Sequence, residues 1–245
     1  MKLTILGYWG GFPFNGDGTT SFLLESDGFS LLLDAGSGSL LALEEHLNPV
    51  DLDAVLLTHY HHDHIADLGV LQYYRQLMPK PEQPVLPIYG HMEDAFHFEE
   101  LTLAGVSEGI GYKETDQVTI GPFSVTFLRT VHPVPCFAVR LVERETGKIL
   151  VFTADSGYLS ALADFAKDAD VLITDTYFLE GHENHHAHLT SKETGEIAVA
   201  AGVKKLILSH LRQDIELPLL KEQVTAIVGG DIPVILAEKH LEMII

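Results

Sequence analysis

The sequence predicts an α+β fold in which two β-sheets carry helices on their outer sides. Three observations point there. Apolar runs of strand length alternate with helix-like patterns along the 245 residues. Strand-like runs dominate the first half and the stretch before residue 155, with helices interspersed. No repeat and no Gly/Ser-rich or Pro-rich linker divides the chain, so residues 1–245 read as one domain.

The elements follow in order. Residues 2–7 (KLTILG) open the chain as a strand. Runs 20–25 and 30–34 flank Asp27-Gly28, a dipeptide that closes two-residue hairpins. A helix over 38–47 precedes a short buried strand, 53–57. Residues 67–77 read as a helix that stops before Pro79, and 91–103 as a weakly capped helix. Between them, Pro79, Pro81, Pro84 and Pro87 make a stiff surface connection. Strands are predicted at 117–120, 123–130, 136–142 and 149–153. Helices at 160–167, 191–201 and 217–228 then alternate with strands at 170–174, 205–209 and 233–236.

Composition narrows the function. A chain of 245 residues with 46% hydrophobic residues can bury a large core, and that apolar share excludes a disordered chain. No apolar run approaches the roughly 18 residues of a membrane span, so no membrane partner is expected. The single Cys136 excludes an intramolecular disulfide framework and a thiolate-cluster metal site. It is read as a buried, inert side chain. With no secretory pattern at the N-terminus, a cytoplasmic location is expected. The net charge of −20, from 35 acidic and 15 basic residues, opposes general polyanion binding. Against that background the 14 histidines stand out, eight of them within 59–64 and 182–188.

The sharpest motif is Thr58-His59-Tyr60-His61-His62-Asp63-His64, directly after the buried strand 53–57. Residues two apart in an extended segment point the same way, so His59 and His61 can share one metal as neutral imidazoles. A helix is predicted to begin near residue 65, which puts Asp63 and His64 at its start, pointing in different directions towards a second metal. Imidazole with carboxylate suits zinc, and also iron or manganese. Two metals need about seven or eight protein ligands. Further candidates sit where predicted strands end: His132, Asp155 in Thr153-Ala154-Asp155-Ser156-Gly157, and His210 in Leu208-Ser209-His210.

The order His59-x-His61-x-Asp63-His64, His132, Asp155, His210 resembles the metallo-β-lactamase fold superfamily across nearly the whole chain. The resemblance implies an αββα four-layer sandwich of two mixed sheets packed face to face. It also implies two divalent metals, most simply zinc. His59, His61 and His132 would hold one, Asp63, His64 and His210 the other, and Asp155 would bridge. Asp34-Ala35-Gly36-Ser37-Gly38 resembles the family's Asp-x-Gly turn; Asp34 either orients metal ligands or caps a helix.

Within the superfamily, His188-Leu189-Thr190, followed by an N-cap at Ser191, a helix, a strand and His210, resembles the tRNase Z-like phosphodiesterases. That resemblance implies that His188 helps protonate the leaving oxygen after a metal-bridging hydroxide, oriented by Asp63, attacks phosphorus. The long tRNA-gripping arm of the processing nucleases has no counterpart here. Only 22 residues separate His132 from Asp155, and two strands fill them. Residues 82–116 carry eight acids (Glu82, Glu93, Asp94, Glu99, Glu100, Glu108, Glu114, Asp116) and one basic residue, Lys113. That face is a poor track for RNA. The expected substrate is therefore a small or cyclic phosphodiester or nucleotide and not a long nucleic acid.

Thioester, ester or lactone hydrolysis uses the same ligand pattern and stands as the alternative. Behind it come tRNA 3′-processing and a non-enzymatic metal-binding subunit. Residues 7–18 (GYWGGFPFNGDG) form either a mobile loop whose Trp9, Phe12 or Phe14 stacks on a base, or a hairpin with those rings in the core. Tyr8, Tyr60, Tyr177 and Arg212 are candidates for pocket lining or for core packing. His182, His185 and His186 read as a solvated loop, with an accessory metal site as the other reading. The composition permits a homodimer.

Overall fold

The computed structural model describes all 245 residues. They form two compact units, residues 1–113 with 238–244, and residues 114–237 with residue 245. No helix is long and apolar enough to cross a membrane.

The first unit is built on a mixed sheet. Its strands are β1 (Lys2–Trp9), β2 (Gly18–Thr19), β3 (Ser21–Ser26), β4 (Phe29–Leu33), β5 (Ala54–Leu56), β6 (Leu86–His91), β7 (Ser107–Tyr112) and β15 (Glu242–Ile244). They run in the order β15-β1-β3-β4-β5-β6-β7, with β2 beside β1. The predicted hairpin forms: Asp27 and Gly28 have φ of 50° and 73°, as a two-residue turn of the primed type requires. From β4 to β7 the pairing is parallel. That explains why β4 and β5 read as unbroken apolar runs, since strands of a parallel sheet are covered on both faces. The unit's helices are α1 (Ser39–Glu44), α2 (His62–Ile65), α3 (Leu68–Leu77) and α4 (Ala95–Glu100). Leu6, Leu23, Leu32, Val55 and Ile88 of the sheet share one core with Leu43 of α1 and Leu68 and Leu71 of α3. Buried Arg75 on α3 donates to the carbonyls of Pro49, Val50, Leu52 and Pro84, and so ties the proline-rich connection down.

Two expectations need correction in this unit. The helix expected over 91–103 is only α4, flanked by strands β6 and β7. Pro87, Gly90, Gly109 and Gly111 lower the strand signal, but parallel pairing from Leu86↔Ser107 to His91↔Tyr112 overrides local preference. The closing strand β15 joins the sheet edge beside β1, although nothing in its short sequence marks it.

The second unit holds a mixed sheet in the order β14-β13-β12-β11-β10-β9-β8. These strands are β8 (Gln117–Ile120), β9 (Phe123–Arg129), β10 (Phe137–Glu143), β11 (Ile149–Phe152), β12 (Val171–Asp175), β13 (Leu206–Ser209) and β14 (Val234–Leu236), each within about a residue of its predicted place. Strands β8 to β11 pair antiparallel and β11 to β14 parallel. The helices are α5 (Ala161–Phe165), α6 (Ser191–Ala201) and α7 (Leu217–Val228). The N-cap of α6 is Thr190, one residue before the expected Ser191; it forms a full capping box with Glu193.

At the start of β12, Asp170 takes hydrogen bonds from Lys204 Nζ (2.8 Å), Lys148 Nζ (3.1 Å) and the Ile149 N–H (2.9 Å). Burial pushes this carboxyl up, but these donors together hold it at about 2. A depressed folded-state value contributes stability that is present above the unfolded value near 4 and is lost as pH falls from about 4 to about 2. The two ammonium heads are substantially exposed, so screening leaves about 1–2 kcal/mol of it. Asp170→Asn should lose that amount at pH 7 and only a small part of it at pH 2, where the folded-state carboxyl is half protonated, in urea unfolding at the two pH values. Equal destabilisation at both would refute the ion-pair origin.

Candidate metal centre

Each unit carries a group of imidazole and carboxylate side chains at strand ends. In the first unit, chain leaving β5 stays extended through His61, the N-cap of α2 (φ −64°, ψ 146°). That places His59 Nε2 and His61 Nδ1 3.2 Å apart, nitrogen facing nitrogen, as the two-residue spacing predicts. The helix begins at His62, three residues before the expected position. Asp63 and His64 therefore both lie inside its first turn, and their tips approach: Asp63 Oδ2 is 3.8 Å from His64 Nε2. The Gly11 N–H donates to the same Asp63 oxygen at 2.7 Å, so the glycine-rich loop is pinned to a candidate ligand.

Asp34 takes the orienting geometry and not the capping one. Its Oδ2 accepts from His64 Nδ1 (2.7 Å) and the Thr58 hydroxyl (2.8 Å), and its Oδ1 from the Thr58 N–H (2.8 Å). Complete burial pushes this carboxyl up, against the opposing pull of His64 and Thr58. Because Asp34 accepts at Nδ1, the proton of a neutral His64 sits there and Nε2 presents a lone pair. Gly36 makes the contact possible: a Cβ on it would stand 2.3 Å from the Asp63 carbonyl oxygen and 2.8 Å from that of Thr20. Backbone atoms cannot move aside cheaply, so Gly36→Ala should destabilise the protein by about 3 kcal/mol. A thermal unfolding curve superimposable on wild type would contradict this.

In the second unit, His132 follows β9, Asp155 follows β11 and His210 follows β13. Asp155 Oδ2 lies 3.2 Å from His210 Nε2 and 3.8 Å from His132 Nε2. One carboxylate oxygen between two imidazole nitrogens is the arrangement a bridging ligand needs. The Asp155 carbonyl is held from behind by the Thr130 hydroxyl at 2.8 Å and by the thiol of buried Cys136. Two non-glycine residues at these strand ends have left-handed backbone, Ala154 (φ 51°) and His210 (φ 51°), and in the first unit Asp34, after β4, does too (φ 57°). Such strain persists where surrounding structure enforces it, commonly at functional sites.

Sequence reasoning missed Asp175, the last residue of β12. It is fully buried, and its Oδ2 accepts from His188 Nδ1 at 2.8 Å and from the Ser156 N–H at 3.1 Å. Its Oδ1 stands 3.5 Å from His210 Nδ1. The ligand-type atoms of Asp175, His188 and His210 all lie within 4.8 Å of one another. An acid closing a buried strand was the signal that picked out Asp155, and applied to Ile173-Thr174-Asp175-Thr176 it finds this one too.

The remaining candidates divide. Trp9 is buried, while Phe12 and Phe14 remain exposed on the loop. The loop closes through a tight Asn15-Gly16 turn, and Phe14 packs edge-on against Trp9. Tyr60 is buried and donates to the His91 carbonyl, and Tyr8 donates to Asp17, so both serve packing. Tyr177 stacks on the His188 ring at 4.7 Å. His182 and His186 are exposed. Neither they nor His185 belong to a group of three ligand atoms at metal-binding distance.

Two mixed sheets with helices, carrying buried imidazoles and carboxylates at their strand ends, define a metallo-hydrolase fold. The chain belongs to the β-lactamase superfamily: the profile described as "Beta-lactamase superfamily domain" matches residues 30–211. It is similar to the probable metallo-hydrolase YhfI of Bacillus subtilis (strain 168), at 43% identity over 86% of this chain and 87% of that one. The crystal structure of YhfI, a metallo-β-lactamase fold protein, superposes with a TM-score of 0.93 over 99% of this chain and 98% of that one, at 37% identity. A ribonuclease Z of Methanopyrus kandleri is 28% identical over 91% of each chain. A diphosphatase of the PhnP family shares the fold, with a TM-score of 0.76 at 17% identity, covering 100% of this chain and 97% of that one. The chain is a metal-dependent hydrolase.

Proposed function

We propose that this hydrolase is a phosphodiesterase acting on a small or cyclic phosphodiester or nucleotide through two divalent metals, zinc before manganese or iron. The donor set fits such metals: neutral imidazole nitrogens and carboxylate oxygens, with His59, His64, Asp155 and His210 buried away from competing water. In this assignment His59, His61 and His132 would hold one metal and Asp63, His64 and His210 the other, with Asp155 available to both. When bound, the metals supply Lewis acidity at the phosphoryl oxygens and a water acidic enough to ionise near neutral pH.

The observation that carries the phosphodiesterase reading is the Asp175–His188 pair. Asp175 fixes His188 through Nδ1, which leaves Nε2 to hand a proton to a departing oxygen. The buried carboxylate stabilises the imidazolium in which that proton is stored. An alkoxide leaving group needs such a donor far more than a thiolate does, because alcohols are much weaker acids than thiols. The pair therefore speaks against a thioester, and the lactone arm of the panel below separates the other alkoxide-releasing class. Asp63, steadied by the Gly11 N–H, would orient the attacking water. The acidic 82–116 segment, and the use of residues 133–154 for β10, β11 and their turns, favour a short substrate over a long nucleic acid.

A hydrolysis panel on the metal-loaded protein tests this: a chromogenic phosphodiester, a phosphomonoester, a thioester, a lactone, a cephalosporin and precursor tRNA. The diester should be the one turned over. Thioester or lactone turnover with a silent diester would sink the reading, and efficient processing of precursor tRNA would overturn the small-substrate assignment.

A further inference from the structure

Arg212, two residues beyond His210, is held more firmly than a surface arginine on a loop needs to be. Its guanidinium lies 5.7 Å from the Tyr177 ring centre and 5.6 Å from that of Phe178. Those two rings stand 5.0 Å apart at 81° and form a corner. Tyr177 stacks on His188 at 4.7 Å, and His188 stacks on His210 at 5.1 Å. Arg212 is therefore the outer member of a continuous stack, one ring away from the proposed proton donor. Cation–π contacts fix where the charge sits without neutralising it.

The same guanidinium makes a two-pronged pair with Asp214, Nε to Oδ1 and Nη2 to Oδ2, the second at 2.8 Å. Asp214 is two residues away and its side chain is 67% exposed. An exposed pair of this kind contributes little to stability, so its carboxylate is readily exchanged. The fork that it occupies is the one a phosphate or carboxylate ligand takes on an arginine.

We propose that Arg212 is a specificity residue that receives a second oxyanion of the substrate, a terminal phosphate beyond the scissile diester, and that Asp214 occupies its fork until that group displaces it. The assignment of this anion to a phosphodiester substrate rests on the function proposed above. It refines that function in one respect: the preferred substrate carries at least one more negative charge than a simple diester. In a chain of net charge −20, a cation held at one end of the His188 stack gives a short anionic substrate a defined orientation. Asp214 keeps the fork closed to weak monoanions, because an entering group must outcompete a carboxylate already in place.

The test pairs two ligands that differ only in the extra phosphate. On the metal-loaded protein, calorimetric Kd values are compared for thymidine 3′,5′-bisphosphate and thymidine 5′-monophosphate. In parallel, kcat/KM is compared for the p-nitrophenyl 5′-diester of thymidine with and without a 3′-phosphate. Wild type should prefer the member with the second phosphate about tenfold in both, the order expected of hydrogen bonds between charged groups. In Arg212→Gln the preference should fall to near one. Arg212→Lys, which keeps the charge but loses the fork, should fall in between. Asp214→Asn should raise the preference about threefold, an outcome that a merely structural ion pair would not produce. No preference in wild type, or an unaltered preference in Arg212→Gln, overturns the proposal. The two readings fail separately. If neither diester is hydrolysed but the Arg212-dependent preference in Kd remains, the phosphodiesterase reading falls and the anion site stands.

Discussion

His188→Ala should lower kcat for an unactivated alkyl phosphodiester by about 10²–10⁴-fold, the usual contribution of a positioned general acid. The loss should be smaller for a nitrophenyl diester, because nitrophenolate departs without much help from a proton. That dependence on the leaving group separates proton donation from a role in binding or packing, which would depress both substrates equally. Asp175→Asn should reproduce most of the defect while leaving the ring in place. The His188 Nδ1–H would lose its charged acceptor at 2.8 Å, and an amide stabilises the imidazolium less well than a carboxylate. KM should change little in either variant, since the interaction strengthens only as the leaving oxygen gains charge. Steady-state kinetics over a series of diesters with graded leaving groups is the measurement. A uniform loss across the series would remove His188 from the proton-donor role and leave it a binding residue.

Most of the second unit is legible in the sequence because its strands are apolar runs bounded by turns. Helix α7 is predicted over the same residues that it occupies, 217–228. The first unit is harder where tertiary pairing overrides composition. Strand β6 contains Pro87 and Gly90, and strand β7 contains Gly109 and Gly111, so neither shows strand propensity, yet their parallel register is continuous over six residue pairs. The ligand candidates are legible for a different reason. A metal ligand at a strand end is a polar residue directly after a buried run, and that pattern survives in one dimension. Asp34 and Asp175 carry the same mark, an acid closing a buried run, but their partners do not show in the local sequence. Asp34 and Asp175 act through side chains 24 to 35 positions away or 13 positions away, and separations of that kind carry no local periodicity. Asp34 is singled out by its turn motif, and Asp175 is not singled out at all. The helix start at His62 is a smaller case. A run of histidines and an aspartate has weak helix propensity, and the hydrogen bond from Ala35 N–H to the His64 carbonyl anchors a turn that the local sequence does not announce.

Among the supporting residues, the effect on metal retention should be largest at Asp34, which holds the proposed ligand His64 from behind. Asp34→Ala removes the acceptor of three hydrogen bonds, from His64 Nδ1, the Thr58 N–H and the Thr58 hydroxyl. All three donors are then stranded in a fully buried place, at a cost of about 1–3 kcal/mol for each that finds no new partner. Metal affinity should fall by about 10–100-fold, the usual effect of losing an orienting carboxylate. Asp34→Asn is the sharper experiment. An amide keeps the volume and can still accept from Thr58, so folding should suffer less than in the alanine variant. The Thr58 N–H can only donate, so the amide oxygen takes the Oδ1 place and the NH₂ group faces His64 Nδ1. A donor there favours the His64 tautomer protonated at Nε2, and that proton covers the nitrogen assigned to the metal. The asparagine variant should therefore lose metal at least as severely as the alanine variant while unfolding at a higher temperature. Chelator competition gives the affinities, and thermal unfolding of the metal-stripped proteins gives the stabilities. If Asp34→Asn held metal as tightly as wild type, the tautomer of His64 would not be what Asp34 controls, and the carboxylate would be left with a purely structural role in anchoring Thr58.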